Sequence, residues 1–343
     1  MREVNQNKKK FSWPYHVIGY IFGICILLAL IHFAGFKNLL LVIQQISPAR
    51  LIVPVLIYVL AWSLRSLRLK TLTAISHARI SIFELFKYRI SGFALNTVLP
   101  AKLGDVVTIG LLGMKGISMG TAAAIIIHAR ILDLAAAILI SIPSAVMTFG
   151  KSIPSWMVIS IYYGIIPFIV VMGLILLDKN RTVIQHLKKL AVVQKSKILS
   201  TVINKLDHAY KSFHDIASNK KRLSLNALFS LMIWIMEGIT AWTVIYALDG
   251  NVHLIQVILA VSIGNVGKSI PLTPGGLGIY ETIFSAVLTA SGVPLELATA
   301  AGIVDHALKK MFNLAIGVPA MTTTGVEIKQ IFGKGGTALQ HSE

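Results

Sequence analysis

One stretch constrains this chain more than any other: Ser269-Ile270-Pro271-Leu272-Thr273-Pro274-Gly275-Gly276-Leu277-Gly278-Ile279-Tyr280-Glu281. It lies between two apolar runs, Leu254–Ile270 and Ile279–Ala290. Each run is near or below the roughly 20 residues that a helix needs to cross a bilayer. Two prolines and three glycines cannot continue a helix, so the chain breaks here. Irregular backbone survives at membrane depth only when it is buried in protein or lines a wet cavity. Glu281 follows in the first turn of the next run, and a carboxylate beside such a break marks a candidate site.

The remaining sequence is membrane material. Of 343 residues, 55% are hydrophobic and only 13% are charged, which predicts an all-α polytopic membrane protein. The formal net charge of +18 fits loops facing anionic lipid; no basic-aromatic module for nucleic acid is visible. The single cysteine, Cys25, lies in the first apolar run and reads as a packing residue. Basic Met1–Lys10 before apolar Val17–Ala34 resembles a signal peptide. The run is long for one, and no small-x-small cleavage site clearly follows, so a retained first span is expected.

About six full spans are expected: Tyr15–Phe36, Leu51–Leu67, Ala122–Phe149, Trp156–Leu177, Ser224–Leu248 and Leu295–Met321. Arg65, Arg68, Lys70, His77, Arg79, Lys87 and Arg89 form a basic cluster that the positive-inside rule places in the cytoplasm. Arg65 and Arg68 read there as anchors to lipid phosphate. Two further segments read as hairpins of partial helices. One is Ile80–Met114, interrupted at Asn96–Asp105; the other is Val252–Ala290. Re-entrant and fully crossing arms give the same topology. Asp178–Arg222 is basic, with apolar residues at helical spacing, and predicts amphipathic helices on an anionic lipid surface. The whole chain, 1–343, reads as one integral membrane domain. It comprises a first half at 51–177, a basic loop at 178–223 and a second half at 224–322, with both termini cytoplasmic in a plasma-membrane protein.

The two halves align. Gly116–Ala124 leads to Arg130, Asp133 and Pro143; Gly292–Ala300 leads to His306, Lys309 and Pro319. The offset is 176 throughout, and it pairs Asp105 with Glu281. Asn96 and Asn265 precede the two breaks, with a small gap in the alignment. Under the basic-loop topology the halves run in opposite directions. An inverted repeat whose broken helices meet near the midplane is a transporter layout.

Pro274-Gly275-Gly276-Leu277-Gly278 with Glu281, Asn96…Leu99-Pro100…Gly104-Asp105, and Arg130 with Asp133 resemble the transmembrane, flippase-like domain of the lysylphosphatidylglycerol synthetase/flippase family. The resemblance covers almost the whole chain and implies movement of a lipid or lipid-linked headgroup between leaflets. Bifunctional members carry a soluble aminoacyl-transferase domain after the membrane part; no room for one follows before Glu343, so aminoacyl transfer is not implied. The sequence also departs in charge type. Lys102 and Asp105 stand where the pattern has Arg and Glu, Ala129 where an acid is common, and His306 and Lys309 where an Arg is usual.

The candidate substrate-binding or translocation residues are Asn96, Pro100, Lys102, Asp105, Arg130, Asp133, Lys268, Pro274, Gly275, Gly276, Gly278, Glu281, His306 and Lys309. Asp105 and Glu281 either complement a helix dipole, pair with Arg or Lys across the cavity, or bind protons or a cationic headgroup. The glycine-rich turn can hold a phosphate as helix starts do, with Lys102 and Lys268 adding positive charge or else snorkelling to an interface. Arg130 and Asp133 share a helix face and can pair. Glu237 needs a cationic partner that the sequence does not name.

No catalytic residues, metal ligands or cofactor are assigned. Gly-x-Gly-Asp and Gly-x-Ser-Gly protease motifs fail at Lys102–Asp105 and Arg89–Gly92, and His-Glu-x-x-His is absent. The leading expectation is a lipid translocator with a phosphate-bearing membrane lipid as partner. An ion-coupled transporter of a small polar solute is the alternative, and a membrane-embedded lipid-modifying enzyme the second.

Overall fold

The computed structural model describes residues 13–44, 46–76, 78–99, 102–159, 182–190, 196–268 and 272–324, with isolated positions between them. Pro100, the basic residues before Trp13, the tail with Lys329 and Lys334, and most of the expected span Trp156–Leu177 lie outside the described residues. The described secondary structure is helical. It comprises α1 (Trp13–Ala34), α2 (Phe36–Gln44), α3 (Ile52–Thr73), α4 (Ile82–Val98), α5 (Leu103–Gly113) and α6 (Met119–Phe149). The second part holds α7 (Thr182–Lys189), α8 (Lys197–Ser218), α9 (Lys220–Ala247), α10 (Leu254–Gly267), α11 (Ile279–Ala290) and α12 (Leu295–Thr323).

Side chains are distributed as a membrane solvent demands. Phe33 is 78% exposed and Met147 69%, whereas Arg68 is 2% exposed and Asp305 0%. Large apolar side chains outside and charges inside leave the hydrocarbon as the only medium that suits the surface. By length and composition, three helices qualify as spans: α3 with its flanking turns (Pro48–Ser76), α6 and α9. A fourth arises if α1 and α2 count together, but they meet at 89°. The expected first span Tyr15–Phe36 is therefore corrected. It ends at Ala34, Gly35 turns with φ +77°, and a separate helix follows where a loop was expected. Helix α12 has 29 residues but carries Glu296, Asp305, Lys309 and Lys310.

Both expected breaks exist. The arms α4, α5, α10 and α11 have 17, 11, 14 and 12 residues. At about 1.5 Å per residue they reach roughly 16–26 Å, short of the ~30 Å apolar core. The element starts also follow the sequence offset: α5 begins at Leu103 and α11 at Ile279, α6 at Met119 and α12 at Leu295. Each long helix then carries an internal proline, Pro143 or Pro319. The residue before each second arm is left-handed: Lys102 at φ 56° and Gly278 at φ 79°. The packing crosses over. Helix α4 lies against α12, α10 against α6, and α3 against α9.

Close backbone approaches fix this arrangement. A side chain on Gly104 would overlap the Gly92 carbonyl, so α5 folds back on α4 only as glycine on glycine. Helix α1 crosses the Pro274–Gly278 turn, and a Cβ on Gly278 would strike the Gly23 carbonyl. Gly278→Ala is therefore expected to destabilise the protein by more than the about 1–2 kcal/mol of a left-handed conformation alone. Thermal unfolding of the purified variant checks this; an unchanged melting temperature would show that α1 does not seat on the turn.

The basic segment forms amphipathic helices. Asn219 caps α9 through Arg222, and Ser196 caps α8 through Leu199. Phe213 and Ile216 of α8 pack into the core of α4–α6, while Leu199 and Leu206 stay exposed. In the loop between α5 and α6, Lys115 donates to Glu84 at 2.6 Å, and this bond raises the lysine above its ordinary range.

Candidate functional site

Charged side chains gather where the broken arms meet the long helices. In the first half Asp105, in the opening turn of α5, takes two bonds from Arg130: Nε to Oδ2 at 2.9 Å and Nη2 to Oδ1 at 2.8 Å. Arg89 of α4 adds a third at 3.2 Å. Asn96 holds the break itself: its Oδ1 accepts from the Gly104 amide at 2.8 Å and its Nδ2 donates to Asp105 at 3.3 Å. The asparagine thus spans the interruption and aims the acid. Asp133 is taken by Arg68 through two bonds of 2.5 and 3.0 Å. Arg68 continues to Ser230 of α9 at 2.6 Å.

The second half repeats the motif with different chemistry. Glu281, in the opening turn of α11, meets His306 of α12 at 2.6 Å. The two partners lie 25 residues apart, as do Asp105 and Arg130. Tyr280 donates to Asp305 at 2.7 Å, and its ring lies 4.8 Å from the His306 ring. Lys309 bridges Asp305 and Glu237, each at 2.8 Å. Glu237 also pairs with Arg65, which joins α3 to α9 and α12 through one buried carboxylate.

These contacts rearrange the sequence expectations. Arg130 and Asp133 do not pair with each other; one faces Asp105 and the other Arg68. Arg65 and Arg68 are not interfacial anchors, and Arg89 is not a loop residue, because all three are buried and bonded to carboxylates. Long-range pairs between helices out-compete the pair on one helix because they also supply bidentate geometry. The partners of Glu237 are Arg65 and Lys309. Lys268 lies 4.7 Å over the Tyr280 ring. Gly275 and Gly276 carry φ of +62° and +78°, conformations that side chains other than glycine rarely adopt.

Sequence reasoning missed Phe93. Its ring faces three guanidinium groups: Arg89 at 4.8 Å, Arg130 at 5.0 Å and Arg65 at 5.8 Å. The signal was there, since Arg89, Phe93 and Thr97 recur at the i, i+4 spacing of one helix face. The negative face of an aromatic ring attracts buried cations that water would otherwise solvate.

Comparison with known proteins finds relatives among membrane proteins. Over 118 residues the chain is 34% identical to glycosyltransferase AglD of Haloferax volcanii, a match covering 33% of this chain and 19% of that protein. It is 28% identical over 202 residues to a UPF0104 membrane protein of Methanocaldococcus jannaschii, covering 58% of this chain and 80% of the relative. A UPF0104 membrane protein of Pyrococcus horikoshii matches at 22% identity over 316 residues, covering 87% and 93%. With residues 17–317 matching the family described as the lysylphosphatidylglycerol synthase TM region, this integral membrane protein belongs to that family.

Proposed function

We propose that this protein moves a phospholipid or lipid-linked headgroup between membrane leaflets. One observation carries the reading. Each of two equivalent breaks ends in an acid that is held, 25 residues later, by a base on a long helix. The first arm of each half packs on the long helix of the other, and the second arm packs on the long helix of its own half. With the basic loop in the cytoplasm the halves are inverted, and the breaks form two gates around one central site, the layout of alternating access. Both termini then face the cytoplasm of a plasma-membrane protein.

The residues divide the work. Asn96 and the glycines of Pro274–Gly278 hold the breaks open against helix continuation. Asp105 with Arg130, and Glu281 with His306, close each break onto a long helix. Opening a gate requires parting one of these pairs, and an imidazole, unlike the guanidinium of Arg130, can give up its charge, which makes the second pair the easier to part. The same pair is suited to carrying a proton. This favours, as a second reading, a proton-coupled transporter of a small polar solute.

The test is leaflet exchange of fluorescent anionic, cationic and zwitterionic lipids in proteoliposomes, with wild type beside Glu281→Gln. Protein-dependent exchange is expected, falling at least about tenfold in the variant, the factor that 1.4 kcal/mol represents. Absence of exchange for every lipid, with and without a proton gradient, would discard lipid translocation. Proton-driven solute uptake would then replace it.

A further inference from the structure

The interior holds more positive charge than its carboxylates take up, and the excess lies along one face of α4. Arg89, Phe93 and Thr97 follow one another on that face. Arg65, Arg89 and Arg130 surround the Phe93 ring, yet the carboxylates bonded to them are two, Glu237 and Asp105, and Glu237 is shared with Lys309. Arg65 Nη1 and Arg89 Nη2 are buried with no hydrogen-bond partner among the described residues.

The same strip continues to the glycine turn. The Thr97 carbonyl lies against Gly275, and Lys310 Nζ occupies the space where a side chain on Gly275 would stand. The stem of Lys268 lies against the neighbouring Gly276. Neither Lys268 nor Lys310 has an ion pair among the described residues; Lys268 has only the Tyr280 ring. Glu281 offsets part of this charge, but it is bound to His306. Thr273, buried at the start of the turn, has a hydroxyl with no partner among the described residues. Unmade hydrogen bonds on buried cations are costly, because each leaves the desolvation of a charged donor uncompensated. A group that supplies acceptor oxygens and negative charge at the turn would give the donors there the partners they lack and would offset the charge of the arginines further along the strip.

We infer that the strip from Phe93 to the Pro274–Gly276 turn is a phosphate site, with Lys268 and Lys310 as its gripping cations and a doubly charged phosphomonoester preferred over a phosphodiester. The inference deepens the translocation reading and rests on it for the lipid, though the site chemistry would serve free phosphate as well. Guanidinium and ammonium donors around a glycine turn match phosphate oxygens in charge and in hydrogen-bonding capacity. Two ammonium groups without carboxylate partners favour an anion of charge near −2. No bond is made or broken; the anion replaces missing acceptors.

The full-length protein in detergent would be titrated with short-chain phosphatidic acid, phosphatidylglycerol, phosphatidylcholine and inorganic phosphate, beside Lys268→Gln/Lys310→Gln and Lys268→Arg/Lys310→Arg. Wild type is expected to bind phosphatidic acid at least about tenfold tighter than phosphatidylcholine, with phosphatidylglycerol between them. The glutamine double variant should lose this preference, and the arginine double variant should keep it. Without ligand the glutamine variant should melt no lower than wild type, because it removes two cations that no ion pair among the described residues neutralises. Tight binding of inorganic phosphate in wild type alone would support the site and assign it to the free anion. Equal preference in wild type and in a folded glutamine variant would overturn the inference, as would a lowered melting temperature. Leaflet exchange separates the two readings. Phosphate binding without exchange keeps this site and removes translocation; exchange indifferent to both lysines does the reverse.

Discussion

Glu237→Leu is expected to destabilise the protein by about 3–5 kcal/mol, the cost of breaking a buried ion pair from one side. Glu237 neutralises both Arg65 and Lys309, and all three side chains are at most 9% exposed. Its loss leaves Lys309 with Asp305 and leaves Arg65 with no ion pair among the described residues. The variant should aggregate on extraction or melt far below wild type in detergent. The triple variant Glu237→Leu/Arg65→Met/Lys309→Leu should recover much of the loss, since replacing a whole buried network with apolar groups is often neutral. Melting temperatures of the single and triple variants decide the matter. A triple variant as unstable as the single one would mean that Glu237 acts through packing and not charge.

The second large effect is an asymmetry between the equivalent acids. Asp105→Asn leaves Arg89 and Arg130 facing each other without a carboxylate, and a loss of about 3–5 kcal/mol is expected. Glu281→Gln leaves His306, which can be neutral and still hydrogen bond to an amide, so a change within about 1 kcal/mol is expected. Pairing Asp105→Asn with Arg130→Gln should restore part of the lost stability. Denaturation of the four proteins checks these outcomes together. Similar losses in Asp105→Asn and Glu281→Gln would show that His306 is charged in the folded protein and that the two halves are electrostatically alike. The asymmetry also makes Glu281→Gln the cleaner probe of transport.

Much of this organisation was legible in the sequence, because the features that carry it are local. Proline and glycine set the break at Pro274–Gly278, and apolar run length made α10 and α11 short. The offset of Asp105 from Glu281 anticipated that both acids would begin equivalent helices. Charge partners were another matter. Arg65, Arg68 and Arg89 lie in a run of basic residues, and hydropathy weighs such a run as a loop. In the folded chain each meets a carboxylate on another helix, and sequence spacing carries no record of which one. Arg130 and Asp133 illustrate the opposite error, since spacing alone suggested a pair that better geometry elsewhere dissolved. The bend at Gly35 was hidden because apolar residues continue on both sides of it.

The crossed packing of α4 on α12 and α10 on α6 bears on how the chain is made. When synthesis has reached Phe149, Arg65 still lacks Glu237, and α4 lacks the helix that will cover Ile90 and Ala94. The first half must therefore wait in the bilayer for 88 more residues before Glu237 reaches Arg65, and for 174 before the covering helix is complete. Contacts between such distant segments form late and slowly. A gene divided within the basic segment should yield two fragments that are each degraded alone but survive when produced together. Maturation of this protein is in that sense the assembly of two subunits that happen to share a chain.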